Sequence, residues 1–206
     1  MQSPPPFVRP AAAAAALVLL AASAAAQQSE GLGAEEIRRM QERTREATAT
    51  NEHHEALEFF LGEWDVEIEL VMPGVPSQKS RATARAEWVI ENRWIGERLE
   101  GTLIGAPYQS FTLRGFDSYA KNHVAATVQS VDNSLNVARG VVVDPQGQVT
   151  AVYGTLDEYT TDELQKPFKV VMRRLGADRY DVEIWDLGIG ADGAKVLEFR
   201  YTRKRR

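Results

Sequence analysis

From Glu63 to Leu70 the chain alternates acid and large hydrophobe without exception: Glu63, Trp64, Asp65, Val66, Glu67, Ile68, Glu69, Leu70. A period of two belongs to a β-strand, whose successive side chains point to opposite faces. Sliding this segment by one residue would expose an indole and three aliphatic groups and bury four carboxylates. It therefore admits one placement, with Trp64, Val66, Ile68 and Leu70 inward and the acids in water.

The same period recurs to the end of the chain. After the Pro73-Gly74 turn, residues 78–90 put Ala82, Ala84, Ala86 and Trp88 on one side and Arg81, Thr83, Arg85 and Glu87 on the other. Further strand-like runs follow at 94–104, 108–116, 122–131, 134–143, 148–156, 166–174, 179–187 and 195–203. Turn signals separate them, among them Gly105-Ala106-Pro107, Asp132-Asn133 and Asp144-Pro145-Gln146-Gly147. About ten consecutive strands with short connections and no intervening helical pattern predict an all-β, antiparallel up-and-down meander. An open sheet of that size would leave two bare edges and one wet apolar face, so closure into a barrel is favoured. Eight strands leave room for side chains or one small ligand, so about ten should leave a cavity. A two-sheet sandwich is the alternative, though no long crossover is visible.

The N-terminal part is of another kind. Residues 1–26 carry one charged side chain, Arg9, then an apolar run from Ala11 to Ala22 and small residues ending Ala24-Ala25-Ala26. That order of basic, apolar and small segments predicts a cleaved secretory signal peptide and a periplasmic or secreted product. The run is too short and too alanine-rich for a permanent span, so no membrane span is expected after cleavage. Residues 27–51 read as a polar, partly helical lead-in with few sizeable apolar groups, and 52–206 as the barrel domain. Asn51 is placed to cap a short helix whose Leu57, Phe60 and Leu61 form a stripe that could close one end of the barrel.

Composition removes several functions. The 206 residues include no cysteine, which excludes disulfides, thiolate metal sites, a cysteine nucleophile and lipid attachment to a new N-terminal cysteine. A formal charge of −5 argues against nucleic acid as a partner. Part of that charge is assigned to the outer face of the first strand.

Gly62-Glu63-Trp64 opening the first strand, with Arg203 on the last, is similar to the Gly-x-Trp and closing arginine of the calycin barrels. From Leu57 to Arg206 the chain also resembles the bacterial domain-of-unknown-function family 1579. The matching residues are Leu61-Gly62-Glu63-Trp64, Gly101-Thr102-Leu103-Ile104-Gly105-Ala106-Pro107, Gly115-Phe116-Asp117 and Tyr201-Thr202-Arg203-Lys204. Phe116 stands where that family usually has tyrosine, and Thr127-Val128-Gln129 lacks a tryptophan often found there. The resemblance implies a calycin-like barrel in which Gly62, Trp64 and Arg203 close one end, the guanidinium stacked on the indole. It implies no activity.

Candidate chemistry is sparse. His53 and His54 read as solvated residues of the entry helix, and His123 as a turn residue with no histidine near it in sequence. No His-Glu-x-x-His, Gly-x-Ser-x-Gly or calcium-loop pattern is present, so no metal site and no catalytic residue are nominated. Some calycin-like barrels hold haem through a histidine on a late strand; no histidine follows His123, and no cofactor is expected.

What remains is the interior. Trp88, Trp94, Phe111, Tyr153, Trp185 and Phe199 are the candidates to line a ligand cavity, with Tyr108, Phe168 and Tyr180 beside them. Three readings stay open: a barrel binding a small apolar or amphiphilic ligand, an isomerase or hydrolase using the same cavity, or an envelope interaction protein with a filled barrel. An interior cavity of several hundred cubic ångströms would separate the first two from the third.

Overall fold

The computed structural model describes residues 33–159 and 161–205, which fall in two compact units divided between Glu46 and Ala47. The expected signal peptide, residues 1–26, lies outside the described residues. In the first unit and its boundary, helix α1 (Ala34–Thr48) buries no residue. Glu35 and Glu36 stand in its first turn and Arg45 in its last, the charge placement that suits a helix dipole.

The second unit begins with a one-turn helix, α2 (Glu52–Glu55), which runs into a 3-10 turn (Ala56–Phe60). Asn51 caps α2 by accepting from the His53 backbone N–H at 3.1 Å. His54 completes the box, its Nδ1 accepting from the Asn51 N–H at 3.2 Å, a task usually given to glutamate.

Ten strands follow: β1 (Gly62–Leu70), β2 (Gln78–Ile90), β3 (Trp94–Leu103), β4 (Ala106–Asp117), β5 (Asn122–Gln129), β6 (Asn136–Val142), β7 (Val149–Glu158), β8 (Glu163–Gly176), β9 (Arg179–Asp186) and β10 (Ala194–Arg203). Each pairs antiparallel with the next, and β1 also pairs with β10, so the meander is a closed barrel. That seam settles the choice between barrel and sandwich. It runs from Trp64 opposite Arg203 to Leu70 opposite Leu197, and both strands turn their apolar parity inward.

One turn sits elsewhere than the sequence suggests. The β3–β4 connection is Ile104-Gly105 rather than Gly105-Ala106-Pro107, and Pro107 is already in β4 opposite Thr102. Both turn residues have positive φ, 52° for Ile104 and 78° for Gly105, a two-residue hairpin of the kind that matches strand twist. A β-branched residue is costly there.

The main core fills the end covered by α2 and the 3-10 turn. Leu57 and Phe60 descend onto Trp64, Tyr180 and Tyr201. Two of the outward acids of β1 are closely paired: Glu67 meets Lys79 at 3.2 Å and Arg200 at 2.9 Å, and Glu69 meets Arg200 at 2.7 Å. Hydrogen bonds from Lys79 and Arg200 to Glu67, and from Ser77 and Arg200 to Glu69, hold both carboxyls below the usual range.

Candidate functional site

The covered end is closed by contacts among β1, β10 and the 3-10 turn that precedes β1. The Trp64 indole N–H donates to the Phe60 carbonyl at 2.9 Å, and the Arg203 guanidinium lies 4.1 Å over its ring. Arg203 also donates to the carbonyls of Leu61 at 2.6 Å and Phe59 at 2.8 Å, tying the 3-10 turn to β10. Gly62 has φ +110°, and a Cβ there would lie 3.1 Å from Arg203 Nη1. Only glycine fits the bend that lets the arginine reach past.

Beneath this lies a polar group that sequence reasoning did not nominate. Glu97 on β3, 3% exposed, accepts from Arg114 on β4 through both carboxylate oxygens, at 2.9 and 3.1 Å. The Tyr180 hydroxyl donates to the same carboxylate at 3.0 Å and the Tyr201 hydroxyl at 3.1 Å. The two phenol rings are stacked at 4.1 Å, and Trp64 meets Tyr180 edge-on at 4.8 Å. Burial, then the nearby Glu97 charge, pushes both phenols well above their ordinary range. All four donors converge on one carboxylate, so its oxygens are fully engaged and the network is structural. A signal for it existed: Glu97 shares the inward parity of Ile95 and Leu99, where an acid breaks the apolar pattern.

The three histidines are not solvated. His53 stacks on Phe116 at 4.2 Å, His54 meets the same ring edge-on at 5.7 Å, and His123 approaches both Phe116 at 5.1 Å and His53 at 5.4 Å. The reason is topological: β4 and β5 place Phe116 opposite His123, and α2 lays its histidines over that pair. His54 is 4% exposed and His123 is 9% exposed. Burial, reinforced by His53, Arg174 and His54, lowers the His123 imidazole to about 4. Burial likewise lowers His54, with Arg93 adding to the effect. His123 Nε2 is buried with no hydrogen-bond partner.

His53 and His123 face a cavity of about 370 Å³ inside the covered end, between the turn and strands β4 to β8. Its wall is apolar at Leu57, Phe60, Val124, Val142, Val152 and Met172 and polar at His53, His123, Arg114 and Arg174. The β6–β7 connection, Asp144 to Gln148, forms its rim. Asp144 is occupied there: its carboxylate accepts from the backbone N–H groups of Gln148 and Val149. Larger depressions of about 700 and 710 Å³ lie at the opposite rim around Val131–Asn136 and on the outer wall around Arg81 and Arg200.

The six aromatic candidates do not come together at this cavity. Trp88 and Phe199 have the inward parity and pack in the main core. Trp94, Phe111, Tyr153 and Trp185 have the opposite parity and stand on the outside. Trp94 lies across Gly115, where a Cβ would come within 2.3 Å of its ring, and Phe111 lies across Gly96 at 2.9 Å. Both are aromatic covers over glycine on a sheet surface. Trp185 carries Lys169 at 4.2 Å over its ring, and Tyr153 is 52% exposed. Of the neighbouring aromatics, Tyr108, Phe168 and Tyr180 point inward and are buried.

A closed ten-stranded meander, plugged at one end by a short N-terminal helical segment, is a calycin-like barrel. The family model described as protein of unknown function, DUF1579, matches residues 49–203, and the chain belongs to that family. Comparison with curated proteins gives no match. Among solved structures, Rv2717c from M. tuberculosis is similar, with 12% identity and a TM-score of 0.55 over 76% of this chain and 100% of that one. A redesigned beta barrel also matches, with 11% identity and a TM-score of 0.39 over 73% of this chain and 96% of that one. The similarity to Rv2717c is one of fold.

Proposed function

We propose that this protein is an exported binding barrel that takes a small, largely apolar or amphiphilic molecule into its plugged end. The observation that carries the reading is the cavity of about 370 Å³ behind the β6–β7 rim, walled by aliphatic side chains with a few polar groups among them. That size and mixture fall in the range of small-molecule sites. A binding role fits better than catalysis, because the buried carboxylate beside the cavity, Glu97, has its oxygens engaged by Arg114, Tyr180 and Tyr201. Export rests on the leader-like composition of residues 1–26.

Native mass spectrometry of the protein purified from its own compartment tests the reading. A non-covalent small molecule released on denaturation supports it, and N-terminal sequencing beginning near Gln27 supports export. Protein that carries nothing, and takes up no apolar probe on titration, would count against a binding role. A covalent adduct or turnover would favour an enzyme.

A further inference from the structure

Two polar groups in the cavity lack what buried polar groups normally have. Arg174, on β8 and half-buried, donates to the Ala56 carbonyl at 3.5 Å and lies 5.1 Å from the Phe59 ring. Among the described residues no carboxylate comes within 4.0 Å of its guanidinium, whereas Arg114 nearby is fully paired with Glu97. Asp144 acts on Arg174 only at longer range and is already held by the rim backbone. The second group is His123, whose buried Nε2 has no partner. His53, Arg174 and His54 surround it, and with burial they lower its imidazole. A half-buried guanidinium without a carboxylate keeps donors to offer, and a buried imidazole nitrogen without a hydrogen bond is costly unless something completes it.

We propose that the cavity takes a ligand with a carboxylate head, one oxygen accepting from the Arg174 guanidinium and the other from His123 Nε2–H, with the apolar body against Leu57, Val152 and Met172. This deepens the binding reading above and rests on it. The two donors select the head group. His123 is neutral near pH 7 and can donate from Nε2, while Arg174 has no carboxylate within 4.0 Å among the described residues, a pair of donors that suits the two oxygens of a carboxylate. Glu52 and Asp144 at the rim disfavour a phosphate dianion.

The test is calorimetric titration of the full chain with hexanoate, octanoate and decanoate, each against the corresponding alcohol. A charge-assisted hydrogen bond predicts that the carboxylate binds about tenfold or more tightly than its alcohol. Arg174→Gln should abolish that preference, weakening carboxylate binding by about tenfold or more, and Arg174→Lys should keep part of it. Circular dichroism checks that each variant is folded. By NMR, carboxylate binding should raise the His123 titration midpoint from about 4, whereas the alcohol should not move it. Equal affinity for both probe classes, unaffected by Arg174→Gln, would overturn the head-group assignment and leave the binding reading standing. Failure of the wild-type protein to bind any carboxylate or alcohol would overturn both.

Discussion

Glu97→Leu is the sharpest probe of how the plugged end is held. The substitution removes the acceptor for two guanidinium N–H groups and two phenol hydroxyls, all buried; the Arg114 side chain is only 8% exposed. Leaving a buried charge without its counter-ion costs about 3–5 kcal/mol. The two hydroxyls would each add about 1–3 kcal/mol if nothing replaced the carboxylate, so the lower figure assumes that water or a shifted ring satisfies them. In a domain of this size each kcal/mol lowers the midpoint of thermal unfolding by about 2–4 °C, and a fall of about 6–20 °C is expected. The double variant Glu97→Leu/Arg114→Leu removes the charge together with its partner and should regain most of the loss, because a buried ion pair is often no more stable than an apolar pair of similar volume. Urea unfolding of the wild type, both single variants and the double variant gives the coupling directly. A single-variant loss below about 1 kcal/mol, or a double variant no more stable than either single, would refute the account of Glu97 as the anchor of four donors.

Gly62→Ala should cost about 1–3 kcal/mol in urea unfolding, since it forces φ +110° on an L-residue beside Arg203; a neutral result would mean the bend relaxes freely. Arg203→Gln removes the stacking on Trp64 and two carbonyl contacts and should cost about 2 kcal/mol, with a shift in tryptophan fluorescence that a change at the surface would not produce. Ile104→Asn, placing a residue suited to positive φ in the β3–β4 turn, should raise stability by about 1 kcal/mol. His123 supplies a pH dependence of known sign. Its folded midpoint of about 4 lies below the ordinary 6.5, so the unfolded chain binds more protons between those values. Stability is full above about pH 6.5 and falls by at most about 3 kcal/mol as the pH drops through 4. His123→Phe should flatten that slope in melts taken across the range.

The strands were legible because period-two alternation is strict where one face is wet, and β1 shows it in its purest form. Closure followed from the edge problem, and the β1–β10 seam has the inward sets that parity assigns, Trp64 to Leu70 against Leu197 to Arg203. Parity also held the information that was not used for the aromatics. Trp94 and Phe111 fall out of step with Ile95, Leu99 and Tyr108, and glycines across the strand mark them as outer covers. The histidine cluster was hidden for a different reason. His53 and His123 lie far apart in sequence, and only the register of β4 on β5, together with the seating of α2, brings them to one phenyl ring. Arg174 was equally mute, since a lone arginine on a strand gives no sign that its carboxylate is missing.

The seam between the first and last strands also imposes an order of events. Trp64 is made well before Arg203, so until β10 is made the indole waits uncovered and both β1 and the growing edge of the sheet present unpaired backbone. Contacts of such long sequence separation form slowly and leave edges open to other chains in the meantime. Loss of a few residues from β10 would therefore do more than trim the barrel. It would hold the chain in its most association-prone form.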